Sequence, residues 1–478
     1  MPAAPPSSST ATQFSSAVST YGVAGIIPSQ WNGMALDSKN NRIILVGQQL
    51  VSPTTLSIIN TASALSTATT STTTSSTTAC SSCTSQKGRF LRPILAAFPI
   101  NNNSSTNNLV DNPDGGNGWQ MDTTWIGGNA FQTIISQIGD GLDVVAADIV
   151  SSNDGTVYVM INFMDQKRKS STPSVVATTL IAHLLSDGSI DSKFDTLSIL
   201  NEDETNSTTG IQMILTRTQG LLVLVQRSTF VSTVFGLDPA SGAIISTMVM
   251  GESGTMITKM VWSESLLMVI GCGLEYDTAS MDTLPIPVVS IVSSTTTPTV
   301  VPLEQLDHTH LVSITSIAMS SPSMITVFGT LTSGASCESV VWTIDISDPT
   351  TPVQDTPFDF PVPAFSYVNH TMKSIVITNA VPSLTDPGTL FLVGYLSSVD
   401  NRSIIGYMGI FNADQQQLIS YPLPSIGLSN LTNHSITGVV PIPSSSASSS
   451  TEQWLMCGWM QPHELSFTRQ ASLLMSHK

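Results

Sequence analysis

The sequence is short of charge. Only 10% of its residues are Asp, Glu, Lys or Arg, so the polar surface of a 478-residue chain must come mainly from Ser, Thr, Asn and Gln. Basic residues are the scarcer sign: 16 Lys and Arg stand against 33 Asp and Glu, a formal charge of -17. That balance repels nucleic-acid backbones and anionic bilayers, so neither is an expected partner. The one basic run, QKRKS at 166–170, reads as a solvated turn.

Cysteine is also scarce. Five residues cannot make a dense disulfide framework. Cys80 and Cys83 form a CxxC within a Ser/Thr tract, with no βαβ context for a redox site and no second pair for zinc. A local disulfide between them is the expectation, while Cys272, Cys337 and Cys457 adjoin apolar runs and read as core filling. No apolar stretch approaches about 18 residues, so no membrane-spanning segment is expected. The opening MPAAPPSSSTATQF has neither a basic region nor an apolar core, so no secretory signal is visible in this chain.

What is present is a rhythm of short apolar runs ending in Gly or another break. They are NRIILVG at Gly47, TVYVMI at Ile161, GLLVLVQ at Gln226, SLLMVIG at Gly271, SMITVFG at Gly329, TLFLVGY through Gly394 and QWLMCG at Gly458. Successive anchors lie 114, 65, 45, 58, 65 and 64 residues apart. Apart from the first, each interval suits one four-stranded antiparallel sheet. A second short apolar segment and a polar turn precede every anchor, as in VVAADIVSSNDG and GIQMILTRTQG. Hairpins apolar on both faces must be covered on both sides, and blades stacked around an axis meet that demand.

The expected fold is therefore all-β: a β-propeller of four-stranded antiparallel blades, seven in number, with eight as the alternative. Third and fourth strands are expected after most anchors, for example VVATTLIAHLLSDGSIDSKFD in the second unit. The N-terminal ATQFSSAVST would complete the last blade and close the ring. Residues 1–10 are expected to be disordered, residues 11–475 to form the single propeller domain, and residues 62–86 to be a Ser/Thr-rich insertion within it. GRFLRPILAAFPI would be the outermost strand of the first blade; in the eight-blade alternative, GNGWQMDTTWIGG contributes to an extra one.

SNDGTVYVMI followed by LLSDGSIDSKF resembles the delta-60 type of β-propeller repeat. The match covers residues 150–195 and is carried by Leu184, Asp187, Gly188, Ser189, Ile190, Asp191 and Phe194. The resemblance implies a propeller built from repeats, some of whose relatives are secreted or cell-surface chains, and carries over no catalytic residue.

Candidate sites are few. Asp111, Asp114 and Asn117 lie in a Gly-rich loop that could gather oxygen ligands around a structural Ca²⁺, although the EF-hand pattern is absent. Beyond that ion no cofactor is expected. His308 and His310 beside Asp307 could offer two nitrogens to a metal but lack a third ligand. Glu202, Asp203 and Glu204 read as a solvated loop. Sequons start at Asn102, Asn103, Asn206, Asn369, Asn401, Asn430 and Asn433, most of them at the margins of apolar runs. Trp262, Trp342 and Trp454 are expected between blades, and Trp31, Trp119, Trp125 and Trp459 near loop ends, where rings could stack on sugars or anchor a protein.

HExxH, GxGxxG, Walker and GxSxG motifs are all missing. The expected function is a non-catalytic binding or structural module, outside the cell or on its surface, contacting protein or glycan. The alternatives are a carbohydrate-active or other hydrolase with carboxylates at the central channel, and a subunit that self-assembles into a filament or coat. Three or more acids with aromatic walls in one axial pocket would favour the hydrolase.

Overall fold

The computed structural model describes residues 14–17, 30–51, 90–100, 122, 124–138, 144–165, 176–194, 196, 200, 208–227, 231–277, 284–304, 311–333, 336–359, 366–367, 370–398, 404–422, 433–442, 453–461 and 470–477. These form an all-β propeller with the helix Gly127–Ile138 packed against it.

Six blades follow one another along the chain. The first comprises Gln30–Asp37, Arg42–Val51 and Phe90–Pro99, and the second Val144–Ser151, Val157–Asp165 and Val176–Leu184. The third runs Thr208–Leu215, Leu221–Arg227, Ser232–Leu237 and Ile244–Val249; the fourth runs Thr255–Ser263, Met268–Glu275, Ile286–Val292 and Thr299–Pro302. The fifth has Leu311–Ser321, Met324–Ser333 and Ser336–Asp345, whose outer edge pairs with the short strands Val353–Gln354 and Phe358–Asp359. The sixth has Ser366–Tyr367, His370–Pro382, Thr389–Ser398, Ile404–Asn412 and Gln417–Pro422.

A closing sheet uses both ends of the chain. Asn433–Ile442, Gln453–Gln461 and Gln470–His477 pair in order, and Phe14–Ala17 adds to the outer edge, with Phe14 opposite Ser476. Gln30–Asp37 touches both Val144–Ser151 and Asn433–Ile442, so the innermost strands form an unbroken circle.

The expected ring of seven or eight uniform four-stranded blades is corrected by these pairings. Among the described residues three sheets have four strands, two have three and two have five. SIDSKFD, expected as the fourth strand of the second blade, makes a single bridge between Leu184 and Ile190. Its polar residues are spent on the turn itself: Asp187 accepts from the Ser189 backbone N–H and hydroxyl at 2.9 and 2.7 Å. The first gap holds no extra blade among the described residues. Gly127–Ile138 is instead a helix, here α1, which buries Phe131 and Ile135 against the first and second blades. Its apolar residues Phe131, Ile134, Ile135 and Ile138 recur at helical spacing, a period of 3.6 that a strand could not use.

Burial follows from alternation on both faces. Leu221–Val225 are all fully buried: Leu221, Val223 and Val225 pack toward the second blade, Leu222 and Leu224 toward the fourth. Each such side chain contributes about 1.5–3 kcal/mol. The same sharing is repeated at the other blade junctions, so the core is a ring of clusters between sheets.

Buried polar groups fasten these junctions. Arg42 is 6% exposed; its Nε lies 2.7 Å from an oxygen of fully buried Asp37, and its guanidinium packs 5.3 Å from the Trp125 ring. It also donates to the carbonyl of Ser186, tying the first blade to the DGS turn of the second. Gly188 in that turn has φ +91°, and a Cβ there would lie 2.2 Å from the Gly127 nitrogen, at the start of α1. The letters that resemble the delta-60 repeat therefore serve a docking contact between blades and helix.

Candidate functional site

Every innermost strand slips register at one shared place, and two of them, Leu311–Ser321 and His370–Pro382, slip a second time elsewhere. The shifts fall between Trp31 and Gly33, Ala146 and Asp148, Gly210 and Gln212, Ile257 and Lys259, Ile314 and Ser316, Ile377 and Asn379, and Ile436 and Gly438. A bulge leaves one residue unpaired, bends the strand and re-aims the side chains beside it. Residues at and after these bulges, from the inner strand of every sheet, line a cavity of about 180 Å³ on the axis of the ring.

Tight approach at the bulge explains several anchor glycines. Gly329, Gly394 and Gly458 pair with Ile314, Ile377 and Ile436, the residues just before the shift. A Cβ at Gly394 would lie 1.9 Å from the Val376 carbonyl oxygen, and one at Gly458 2.0 Å from that of Ser435. In the fourth blade the crowded residue is Gly273, two positions past the anchor at Gly271 and 1.9 Å from the Met256 oxygen by the same test. At Gly394, Gly458 and Gly273 the neighbouring backbone leaves room for glycine alone.

The bulged residue is Thr in four sheets, each time preceded by Ile: Thr258, Thr315, Thr378 and Thr437. Each hydroxyl donates to a carbonyl of the adjacent strand, those of Cys272, Phe328, Val393 and Cys457, at 3.2–3.5 Å. Two of them also reach the next sheet. Thr378 donates to Ile436 O and Thr437 to Trp31 O, both at 2.7 Å.

Carboxylate and amide groups continue this belt. Asp148 accepts from the backbone N–H of Ile149 at 2.8 Å and, across to the third blade, of Met213 at 2.6 Å. Gln212 Oε1 accepts from Met260 N–H in the fourth blade at 2.8 Å. Asp148 sits deep in the protein mass with only the cavity beside it; burial pushes its pKa up to about 6, against the pull of those two N–H groups and of the Lys259 charge.

Among the described residues lining this cavity Asp148 is the single carboxylate, Lys259 the single cation, and no aromatic ring is present. Glycoside hydrolysis needs a pair of carboxylates, and among the described lining residues Asp148 has no second one beside it.

None of the candidate site residues expected from the sequence is among the described residues that line this cavity. Asp111, Asp114, Asn117, Cys80, Cys83, His308, His310 and Glu202–Glu204 are outside the described residues, as are Asn102, Asn103, Asn206, Asn369, Asn401 and Asn430. Asn433 begins the inner strand of the closing sheet. Trp342 and Trp454 are fully buried between blades, and Trp262 is half-buried there. Trp31 and Trp125, expected near loop ends, are 2% and 6% exposed and offer no ring to a ligand. Cys272 and Cys457 are buried free thiols whose pKa burial pushes up, inert filling rather than nucleophiles. Among the described residues no three His, Cys, Asp or Glu side chains converge on a metal position, and no helix is long and apolar enough to cross a membrane.

Sequence reasoning missed the axial belt altogether. Its signal was present as the repeated Ile-Thr of ITKM, ITSI, ITNA and ITGV, each followed by a polar residue or glycine inside an apolar hairpin. The interruption of an alternating strand marks a bulge, and its recurrence marks the axis.

No family model and no curated protein matches the chain. Several solved structures are similar at low identity. Sqt1 of Saccharomyces cerevisiae is 9% identical, covering 97% of this chain and 99% of its own, with a TM-score of 0.43. The β-propeller domain of the Trilobed protease from Pyrococcus furiosus, described as having an open velcro topology, is 8% identical over 95% of both chains at 0.44. The Dos1 propeller is 9% identical over 95% and 92% at 0.41. The likeness is a distant one, and membership of the delta-60 family is not established by it.

Proposed function

We propose that the protein is a binding module whose ring presents an apolar face to a protein partner. The observation that supports this is a set of exposed side chains at the end of the ring where the inner strands begin. Tyr276, Leu284, Ile286 and Leu311, from the adjacent fourth and fifth blades, are 40–48% exposed. Tyr276 follows the second strand of its blade and Ile286 opens the third, while Leu311 opens the next inner strand, so all four belong to that end. Large apolar groups left in water at neighbouring positions are characteristic of interaction surfaces. The rigid blades beneath them hold the surface in shape, which lowers the ordering cost of binding.

The partner is proposed to be met outside the cell or on its surface, a reading supported by the low charge density and by the sequons flanking the apolar runs. The delta-60 likeness of residues 150–195 is compatible with that setting. Cross-linking of the native protein in situ, compared with an Ile286→Asp, Leu311→Asp variant, tests the contact: partner capture should be lost with folding unchanged. Capture that persists in the variant would refute this face. Intact mass spectrometry would test the compartment through sugar on Asn206, Asn401 or Asn430.

A further inference from the structure

Hydrogen-bonding capacity in the axial cavity is unevenly spent. On the side of the second and third blades, Asp148 and Gln212 commit oxygens to the backbone N–H groups of Ile149, Met213 and Met260. Along the arc of the fourth, fifth and sixth blades stand Lys259, Ser316 and Asn379, each the residue immediately after its bulge. None of these three side chains makes a hydrogen bond or ion pair among the described residues, although Ser316 is 4% exposed and the other two are half-buried.

Unspent donors of this kind have a chemical complement. An ammonium, a hydroxyl and a carboxamide at equivalent positions of three successive blades can together surround a carboxylate, which accepts through two oxygens. On the second blade, the Asp148 oxygens each hold one N–H bond and keep acceptor capacity toward the cavity. One anion and one cation two blades apart around the same cavity suit a ligand that carries both charges in the reverse order. The volume of about 180 Å³ sets its size. It falls below the roughly 300–1,000 Å³ of pockets for drug-sized ligands, and excludes an oligosaccharide.

We propose that the axial cavity binds a small free amino acid as its zwitterion, the carboxylate received by Lys259, Ser316 and Asn379 and the ammonium group directed to Asp148. This site is separate from the exposed face and does not depend on it.

Calorimetric titration and thermal denaturation of the full chain, with L-serine, acetate and ethanolamine as probes, test the assignment. L-serine should bind and raise the melting temperature, with acetate and ethanolamine each weaker by about tenfold because each engages one side only. Lys259→Met and Asn379→Ala should each weaken L-serine by about tenfold or more. Asp148→Asn should remove the preference for L-serine over acetate. Absence of heat and of thermal shift with L-serine on the native chain would overturn the proposal, as would binding undiminished in both Lys259→Met and Asn379→Ala. Should Lys259→Met fail to fold, Asn379→Ala carries the comparison. The Ile286→Asp, Leu311→Asp variant should bind L-serine normally, which separates this site from the partner face.

Discussion

Thr437 donates its hydroxyl to the carbonyl oxygen of Trp31 at 2.7 Å, joining residues 406 positions apart. This bond links the closing sheet to the first blade at the axis, where the ring either is complete or is not. The Thr437→Val substitution keeps the shape and deletes the donor, leaving the Trp31 carbonyl without that partner. A loss of about 1–2 kcal/mol in denaturant unfolding is expected, with Thr437→Ser retaining most of the stability. An unchanged midpoint for the valine variant would show that the latch is idle.

Gly394 and Gly458 face inner-strand carbonyls so closely that a methyl group overlaps them, at 1.9 and 2.0 Å. Gly394→Ala and Gly458→Ala should each cost about 2–3 kcal/mol or more, since backbone rather than a flexible side chain must yield. Chemical denaturation against the parent chain measures this.

Asp148 makes stability depend on pH in an unusual direction for a carboxylate. Its folded pKa, about 6, is raised above the ordinary 3.8, so the folded state holds the proton more tightly than the unfolded one. The associated stability is complete below about pH 4 and is lost as pH rises through 6. Asp148→Asn lacks this titration, so stability relative to the parent should move in the variant's favour by on the order of 2–3 kcal/mol between those limits. Unfolding curves at pH 4, 5, 6 and 7 would expose the opposite slope if the carboxylate were instead stabilised by its N–H partners.

Arg42 and Asp37 form a buried pair with an Nε to oxygen distance of 2.7 Å. Replacing Arg42 by Met strands a fully buried carboxylate and frees the Ser186 carbonyl, at an expected cost of about 3 kcal/mol. The double variant Asp37→Asn, Arg42→Met should recover part of that loss, and thermal melts of the three variants give the coupling. Strict additivity would mean that the two groups stabilise the fold independently.

Much of the architecture is written locally. Runs such as Leu221–Val225, apolar at every position, demand cover on both faces, and the polar turns between them set where strands reverse. The resulting inference of stacked blades needs only nearest-neighbour chemistry. Strand number per blade was less legible, because an outer strand is settled by whether a turn such as Asp187–Ser189 uses its polar groups internally or frees the chain to pair again. The helix Gly127–Ile138 was not legible for a related reason: its start was assigned to a possible extra blade, and its face has meaning only against the two blades that cover it.

The candidate site lay wholly beyond linear reading. Asp148, Lys259 and Asn379 are each one polar residue in an apolar hairpin, separated by more than a hundred positions. Composition and alternation dictate that these strands pair and bury, since both are short-range consequences of side-chain polarity and backbone geometry. Which polar residues meet is decided by ring closure, which brings residues from every inner strand to a common axis and gathers both charges around a space that no single segment encloses.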